Sequence, residues 1–238
     1  MGQGQSDIPL ENTKRSAKYK NHPRPDDKGN PVKIINPSQP TPLSAFDDPG
    51  EVAVVVPDGE TPKALNGIGF FSWNDRPTGT AEWLSVSGQA NFNEPAMIGK
   101  PGKKLSAGVV TLEPDARIWA VAPTNAFGGY KVTFPKGTID HGMTPQATAI
   151  KETFEESGLQ IQITGWIGDF ERTTSVTRYY FAKRIGGDPT KMDWESQAVM
   201  LVPKEKLFTV LHHAKDHELL TTLLAKLQAA QASSCITQ

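Results

Sequence analysis

Residues 135–159 read PKGTIDHGMTPQATAIKETFEESGL, and Glu152, Glu155 and Glu156 fall within five consecutive positions. Carboxylates at i, i+3 and i+4 of a helix share a face. Like charges so spaced cost a helix roughly a few tenths of a kcal/mol. Their place near the helix C-terminus adds to the cost, because the helix dipole disfavours negative charge there. Such a cluster is either a plain solvated face or a seat for something positive. The preceding loop, FPKGTIDHG, holds two glycines, a proline and Lys136. A glycine-rich loop beside a carboxylate-lined helix lets backbone carbonyls and carboxylates converge. Hard divalent cations such as Mg²⁺ take that set of oxygen ligands.

The helix that must carry these acids has legible ends. Thr144 is a good N-cap, Pro145 suits the first helical position and Gly158 suits the position that ends a helix. The spacing predicts a helix over 145–157 with Ala147, Ile150 and Phe154 facing the core and the three glutamates on the opposite side. Strands are expected around it at LSAGVVTL, RIWAVAP, YKVTF, QIQITGWI, TRYYFAK and SQAVMLV. A short helix is expected near 204–212. A longer one, at 216–230, carries Leu219, Leu220, Leu223, Leu224 and Leu227 at helical spacing. Strands with a few packed helices make an α+β domain layered as helix, sheet, helix.

The chain has 238 residues with 25 basic and 26 acidic side chains, a net charge of −1. That balance gives no electrostatic reason to expect duplex nucleic acid or an anionic membrane as a partner. No apolar run approaches the ~20 residues of a membrane span. The one cysteine, Cys235, cannot form an internal disulfide, and a reducing, cytoplasmic setting is expected. The start, MGQGQS, fits the loose pattern for N-myristoylation, although an ordinary flexible start accounts for it.

Four segments are expected along the chain. Residues 1–43 are polar and proline-dotted and read as an extended or flexible arm, dispensable for stability. Residues 44–103 hold EVAVVV, IGFFSW and EWLSVSG, which read as short strands of a small β segment, with Trp73 and Trp83 as packing residues. Residues 104–231 carry the main domain, and 232–238 read as a flexible tail.

The glutamate stretch resembles the Nudix hydrolase family. Its pattern G-x5-E-x7-R-E-U-x-E-E-x-G-U, with U aliphatic, meets Gly137, Glu152, Glu155, Glu156, Gly158 and Leu159 in register. Lys151 stands in place of the arginine, Met143 in place of the first glutamate and Thr153 in place of an aliphatic residue. The resemblance covers about 104–230. It implies an α/β/α sandwich around a mixed β-sheet and a Mg²⁺- or Mn²⁺-dependent hydrolase of a diphosphate linked to another moiety. It makes Glu155 and Glu156 metal ligands with the backbone carbonyl beside Gly137, that of Lys136, and brings in Glu152 as a ligand or an orienter of water.

Family members often add an acid from a later loop, as ligand or base. Glu195 is the first choice here and Glu171 the second. Lys136 is a candidate phosphate contact, and Trp194, Tyr130 and Tyr179 could stack on a base. His141 lies in the box loop, whereas His212, His213 and His217 read as structural. The Phe-Pro-Lys-Gly lead-in is similar to members that cut dinucleoside polyphosphates or diphosphoinositol polyphosphates. The alternatives are an ADP-ribose or nucleotide-sugar pyrophosphatase and a nucleotide-binding module without turnover. The partner expected is a phosphorylated small molecule, with a homodimer possible through 1–103.

Overall fold

The computed structural model describes residues 19–236. The arm's first 18 residues, the myristoylation pattern and the side chain of Cys235 lie outside the described part. In chain order, β1 (Tyr19–Asn21) and β2 (Lys33–Ile35) form an antiparallel hairpin, followed by β3 (Ala53–Val55). A two-strand ladder, β4 (Ala64–Leu65) with β5 (Ile68–Gly69), and a short helix, α1 (Thr80–Leu84), come next. The body is β6 (Lys104–Leu112), β7 (Arg117–Pro123), β8 (Lys136–Thr138), α2 (Pro145–Ser157), β9 (Leu159–Glu171), β10 (Ser175–Gly187) and β11 (Ser196–Pro203). α3 (Leu207–Val210) and α4 (His217–Ile236) close it.

One mixed sheet organises the molecule, in the order β3-β11-β7-β6-β10-β9, with β8 paired to β6. β6 and β10 run parallel and the other neighbours antiparallel. Successive residues of each strand feed opposite faces. Val109, Trp119, Tyr180 and Leu201 pack toward α2, while Val110, Ile118, Tyr179 and Val202 pack toward Leu219, Leu220 and Leu223 of α4. The expected α/β/α sandwich is therefore the observed one, and α2 occupies the expected span. Thr144 caps it by accepting from the Ala147 amide at 3.2 Å, and Gly158 ends it in the left-handed conformation, φ 68°.

Four differences have physical causes. EWLSVSG was expected as a strand, but its first three residues end α1, because Glu82 turns back to accept from the Thr78 amide at 2.7 Å and from the Gly79 amide. YKVTF makes only an isolated bridge, Thr133 to Val121, and the strand of this region starts at Lys136. Residues 232–236, expected as tail, continue α4. Residues 44–100 do not form a core of their own. β3 is an edge strand of the main sheet, and Phe46, Leu65, Trp73 and Trp83 share the cluster that holds Ile150 of α2.

The arm differs most from its reading. From residue 19 onward it lies on the body, held mainly by polar contacts that composition does not reveal. Ile34 and His22 are buried. Asn125 clasps β2 through the Ile35 amide at 2.6 Å and the Lys33 carbonyl at 2.8 Å. Arg24 reaches Asp58 at 3.0 Å and the Thr190 carbonyl at 3.3 Å. Deleting residues up to 40 is expected to lower the melting midpoint by roughly 5 °C or more, given about 2–4 °C per kcal/mol at this size. Calorimetry on the full and shortened chains checks this, and midpoints within a degree or so would show that the contacts contribute nothing.

Candidate metal centre

Glu152 and Glu156 are four residues apart on α2 and so project together. Glu195 arrives from the turn before β11. One carboxylate oxygen from each of the three lies within 4.8 Å of the others. Glu155 belongs to the neighbouring stripe of the helix, and Lys151, one turn earlier, holds it at 2.6 Å. The described structure thus gathers Glu195 with Glu152 and Glu156, and sets Glu155 beside them with a cation of its own.

β8 fixes the trio from below. The Lys136 amide donates to Oε2 of Glu156 at 3.1 Å. Gly137 faces Glu152 so closely that a Cβ there would overlap the carboxyl group. A side chain at 137 would force the end of the Glu152 side chain to move. The Lys136 ammonium lies over the Tyr130 ring, 5.5 Å from its centroid.

Burial and mutual repulsion set the protonation of the cluster. Loss of water, reinforced by Glu155 and Glu195, pushes Glu152 up to about 7 against the pull of Lys151. Loss of water, with Glu152 and Glu195 adding to it, pushes Glu156 up to about 8 despite Lys136. Burial likewise raises Glu155, Asp193 and Glu195. A cavity of about 320 Å³ opens onto this cluster, lined by Glu152, Glu155, Glu195, Lys151, Asp193, Trp194 and Asp27. Asp27 comes from the arm and accepts from the Trp194 indole at 3.2 Å. The sequence reading missed it, since a loop aspartate in PRPDDKGN carries no signal of a distant site. Asp193, two residues before Glu195, was also missed, although it stands in the loop already singled out.

The remaining candidates fall elsewhere. Glu171 is salt-bridged to Lys100 and Lys103, whose hydrogen bonds hold its carboxyl down at about 2. Tyr179 is fully buried, with its hydroxyl accepting from Arg172 at 3.2 Å, so it is a core residue and not a stacking platform. Tyr130 is buried and stacked on His213 at 4.1 Å. Trp194 lines the cavity. His141 is exposed in its loop, and His217 packs edge-on against Phe208. Among the described residues no histidine joins a metal-type cluster.

The fold is a three-layer sandwich whose carboxylate cluster lies between α2, one of its outer helices, and the turn before β11. The NUDIX domain profile matches residues 102–224, more than half of the chain, and the chain belongs to the Nudix family. It is 30% identical over 108 residues to MutT4 of Mycobacterium tuberculosis, named a mutator protein, covering 41% of this chain and 44% of that one. It is 29% identical over 113 residues to an RNA pyrophosphohydrolase of Vibrio vulnificus, covering 47% and 58%. These matches span about half the length of the curated relatives. A crystal structure of an Ap4A hydrolase binary complex from C. elegans is similar at 22% identity, covering 52% of this chain and 98% of that one, with a TM-score of 0.45.

The raised acids have a consequence for stability. A carboxyl whose pKa is higher in the folded chain than the ordinary 4.5 keeps its full contribution below that value and loses it as pH rises through the folded pKa, here about 7 and about 8. Burial holds His22 below its usual value, which acts in the opposite sense over the same range. Comparison with Glu156→Gln cancels that contribution. Without divalent cation, the parent midpoint should fall relative to Glu156→Gln by about 5 °C between roughly pH 5 and pH 8. Parallel melting curves across that range would mean that Glu156 is not held toward its protonated form.

Proposed function

We propose that the chain is a divalent-cation-dependent hydrolase of a phosphoanhydride bond, acting on a nucleoside diphosphate linked to another moiety. The observation that carries the reading is the meeting of Glu152, Glu156 and Glu195, from a helix and a strand end, with oxygens within 4.8 Å of one another. Groups this close, with Glu152 and Glu156 held toward protonation, ionise together only beside a positive charge. The donors are all oxygens, which suits Mg²⁺ or Mn²⁺. When bound, such an ion neutralises the diphosphate and makes a water nucleophilic near neutral pH.

The chain's own groups position the reaction. The Lys136 amide fixes Oε2 of Glu156, and Gly137 lets Glu152 lie against β8. In this reading Glu195, the most exposed of the three, takes a proton from the attacking water at a carboxylate oxygen. Lys151, 2.6 Å from Glu155 and 3.7 Å from Glu152, keeps a positive charge where phosphate oxygens gather. Trp194 and Asp27 narrow the cavity and limit bulk water.

The relatives named RNA pyrophosphohydrolase support the same bond class. For the far side of the substrate, a dinucleoside polyphosphate is the first reading. ADP-ribose or a nucleotide sugar is the second, favoured by one observation: residues 76–83, outside the family match, help wall the site. Phosphate-bond cleavage in Mg²⁺ across diadenosine tetraphosphate, ADP-ribose and nucleoside triphosphates separates these, and no turnover of any would leave a binding module. Glu156→Gln is expected to lower kcat by about 100-fold, since a neutral amide holds a divalent cation poorly; activity within twofold of the parent removes this role. Gly137→Ala should displace Glu152 and weaken Mn²⁺ binding, followed by its paramagnetic resonance, by about tenfold or more.

A further inference from the structure

The turn that delivers Glu195 spans 188–195, between the end of β10 and the start of β11, and three elements fasten it. Thr124, at the end of β7, donates to the carbonyls of Trp194 and Glu195. On the α2 side the Asp193 amide donates to the Glu155 carbonyl at 2.8 Å. The third element is the arm. Arg24 donates through Nη2 to the Thr190 carbonyl at 3.3 Å, and Asp27 accepts at Oδ1 from the Trp194 indole at 3.2 Å. Gln197, just inside β11, donates to the Ser38 hydroxyl at 3.0 Å. The arm therefore touches the turn near its start, beside Glu195 and just past its end.

The arm bears on the turn because its own course is fixed. His22 is buried, its amide donates to the Val32 carbonyl at 2.8 Å, and its Nδ1 accepts from the Arg24 amide at 3.0 Å. Arg24 is anchored to the body by Asp58 at 3.0 Å. Asp26 shapes the next bend, its carboxylate accepting from the amides of Lys28 and Asn30 at 3.0 and 2.7 Å. Asp27 sits on that bend.

Glu195 differs from its two partners in how it is held. Glu156 accepts from the Lys136 amide, and Lys151 stands 3.7 Å from Glu152. Among the described residues no hydrogen bond or ion pair holds the Glu195 carboxylate. The backbone that carries it sets its place, so whatever moves the turn moves the carboxylate. A shift of about 1 Å in a reacting group costs on the order of 100-fold in rate.

We propose that the arm positions Glu195: Arg24 and Asp27 seat the 188–195 turn so that the Glu195 carboxylate meets Glu152 and Glu156, and Asp27 does so as the acceptor for the Trp194 indole rather than through its charge. The proposal rests on the hydrolase reading above for the task of Glu195. It makes residues 22–38 part of the working unit, although they precede the residues, 102–224, that match the family.

The test uses the full chain, well below the melting midpoint of every variant. It measures kcat and KM in Mg²⁺ on the best substrate of the panel above, and Mn²⁺ affinity by paramagnetic resonance. Asp27 is exposed, so replacing it leaves the core intact. Asp27→Ala and Arg24→Ala should each lower kcat by about tenfold with KM within about threefold, the pattern of an interaction that counts in the transition state. Each should also weaken Mn²⁺ binding by about threefold or more. Asp27→Asn keeps an acceptor for the indole and should bring kcat back to within about threefold of the parent. In a Glu195→Gln background, Asp27→Ala and Arg24→Ala should change kcat and Mn²⁺ affinity by less than about twofold, because the group they act through is gone. Asp27→Asn as damaging as Asp27→Ala would make the carboxylate itself the working group. Full effects in the Glu195→Gln background would mean that the arm does not act through Glu195. Lower midpoints with kcat and Mn²⁺ affinity unmoved would leave the arm a purely structural strap. Each of these overturns the proposal. If the parent cleaves nothing, the hydrolase reading falls while the Mn²⁺ comparison still reads the arm. If cleavage is brisk and neither alanine variant alters it, the positioning assignment falls alone.

Discussion

Carboxylates gathered in a half-buried site repel one another and lose water, and both effects favour their neutral forms. The rest of the molecule must hold Glu152, Glu156 and Glu195 together against that. Within α2, Lys151 reaches Glu152 at 3.7 Å, but the hold on Glu156 and the approach of Glu195 come from outside the helix. The opposing force is assembled from outside: an amide of β8 on Glu156, a glycine that lets Glu152 lie flat on that strand, and the turn that delivers Glu195. The backbone of that turn is itself fastened. The Thr124 amide donates to the Glu195 carbonyl at 2.8 Å, and the Thr124 hydroxyl donates to the Trp194 carbonyl at 2.7 Å. The site is thus as fixed as the sheet ends that carry it.

A second constraint binds the N-terminal segments to the sheet, and it uses buried arginines. Arg117 donates to the carbonyls of Ala45, Phe46 and Asp48 while pairing with Asp115 at 2.8 Å. Arg184 pairs with the buried Glu113 and donates to the Leu65 carbonyl at 2.9 Å. Arg178 joins Asp169 and Glu94, and Glu94 also accepts from the Tyr180 hydroxyl at 2.6 Å. A guanidinium has five donors in a fixed fork, so one buried arginine can satisfy an irregular stretch of carbonyls that no strand pairs. This is how a segment with few strands of its own acquires a defined path over α2. Removing one partner of such a pair strands a charge, so these clamps fix the path more firmly than they add net stability.

The legible parts of the sequence were those where local chemistry decides. Thr144, Pro145 and Gly158 set the ends of α2 because capping and left-handed backbone are properties of single residues. The apolar runs of β6, β7, β10 and β11 were readable because both sheet faces are buried. The illegible parts depend on distant partners. Nothing in PRPDDKGN says that Asp27 reaches Trp194, and nothing in EWLSVSG says that Glu82 will turn back on Thr78. Glu195 could be named from its place before a strand, but its meeting with Glu152 and Glu156 depends on the sheet order, which brings β11 beside β7 rather than beside its sequence neighbour β10. The polar arm was misread because composition reports the absence of a core and is silent about hydrogen bonds to someone else's loop.

The two departures at 143 and 151 then read as one change. In the family pattern an acid precedes the helix and an arginine on it offers the fork that an acid can grip. Here Met143 offers no anion, and an arginine at 151 would have lost that bidentate partner. A lysine needs none. Its point charge reaches Glu155 one turn along the same helix, a pairing that backbone spacing alone provides. Glu155, so paired, sits beside the oxygens that Glu152, Glu156 and Glu195 bring together. The change also leaves the space in front of Met143 without the acid that the pattern places there, open on one side to the carboxylates and on the other to Arg76. A motif change that looks like damage in the sequence is, in the fold, a transfer of one anion's duty from the loop to the helix.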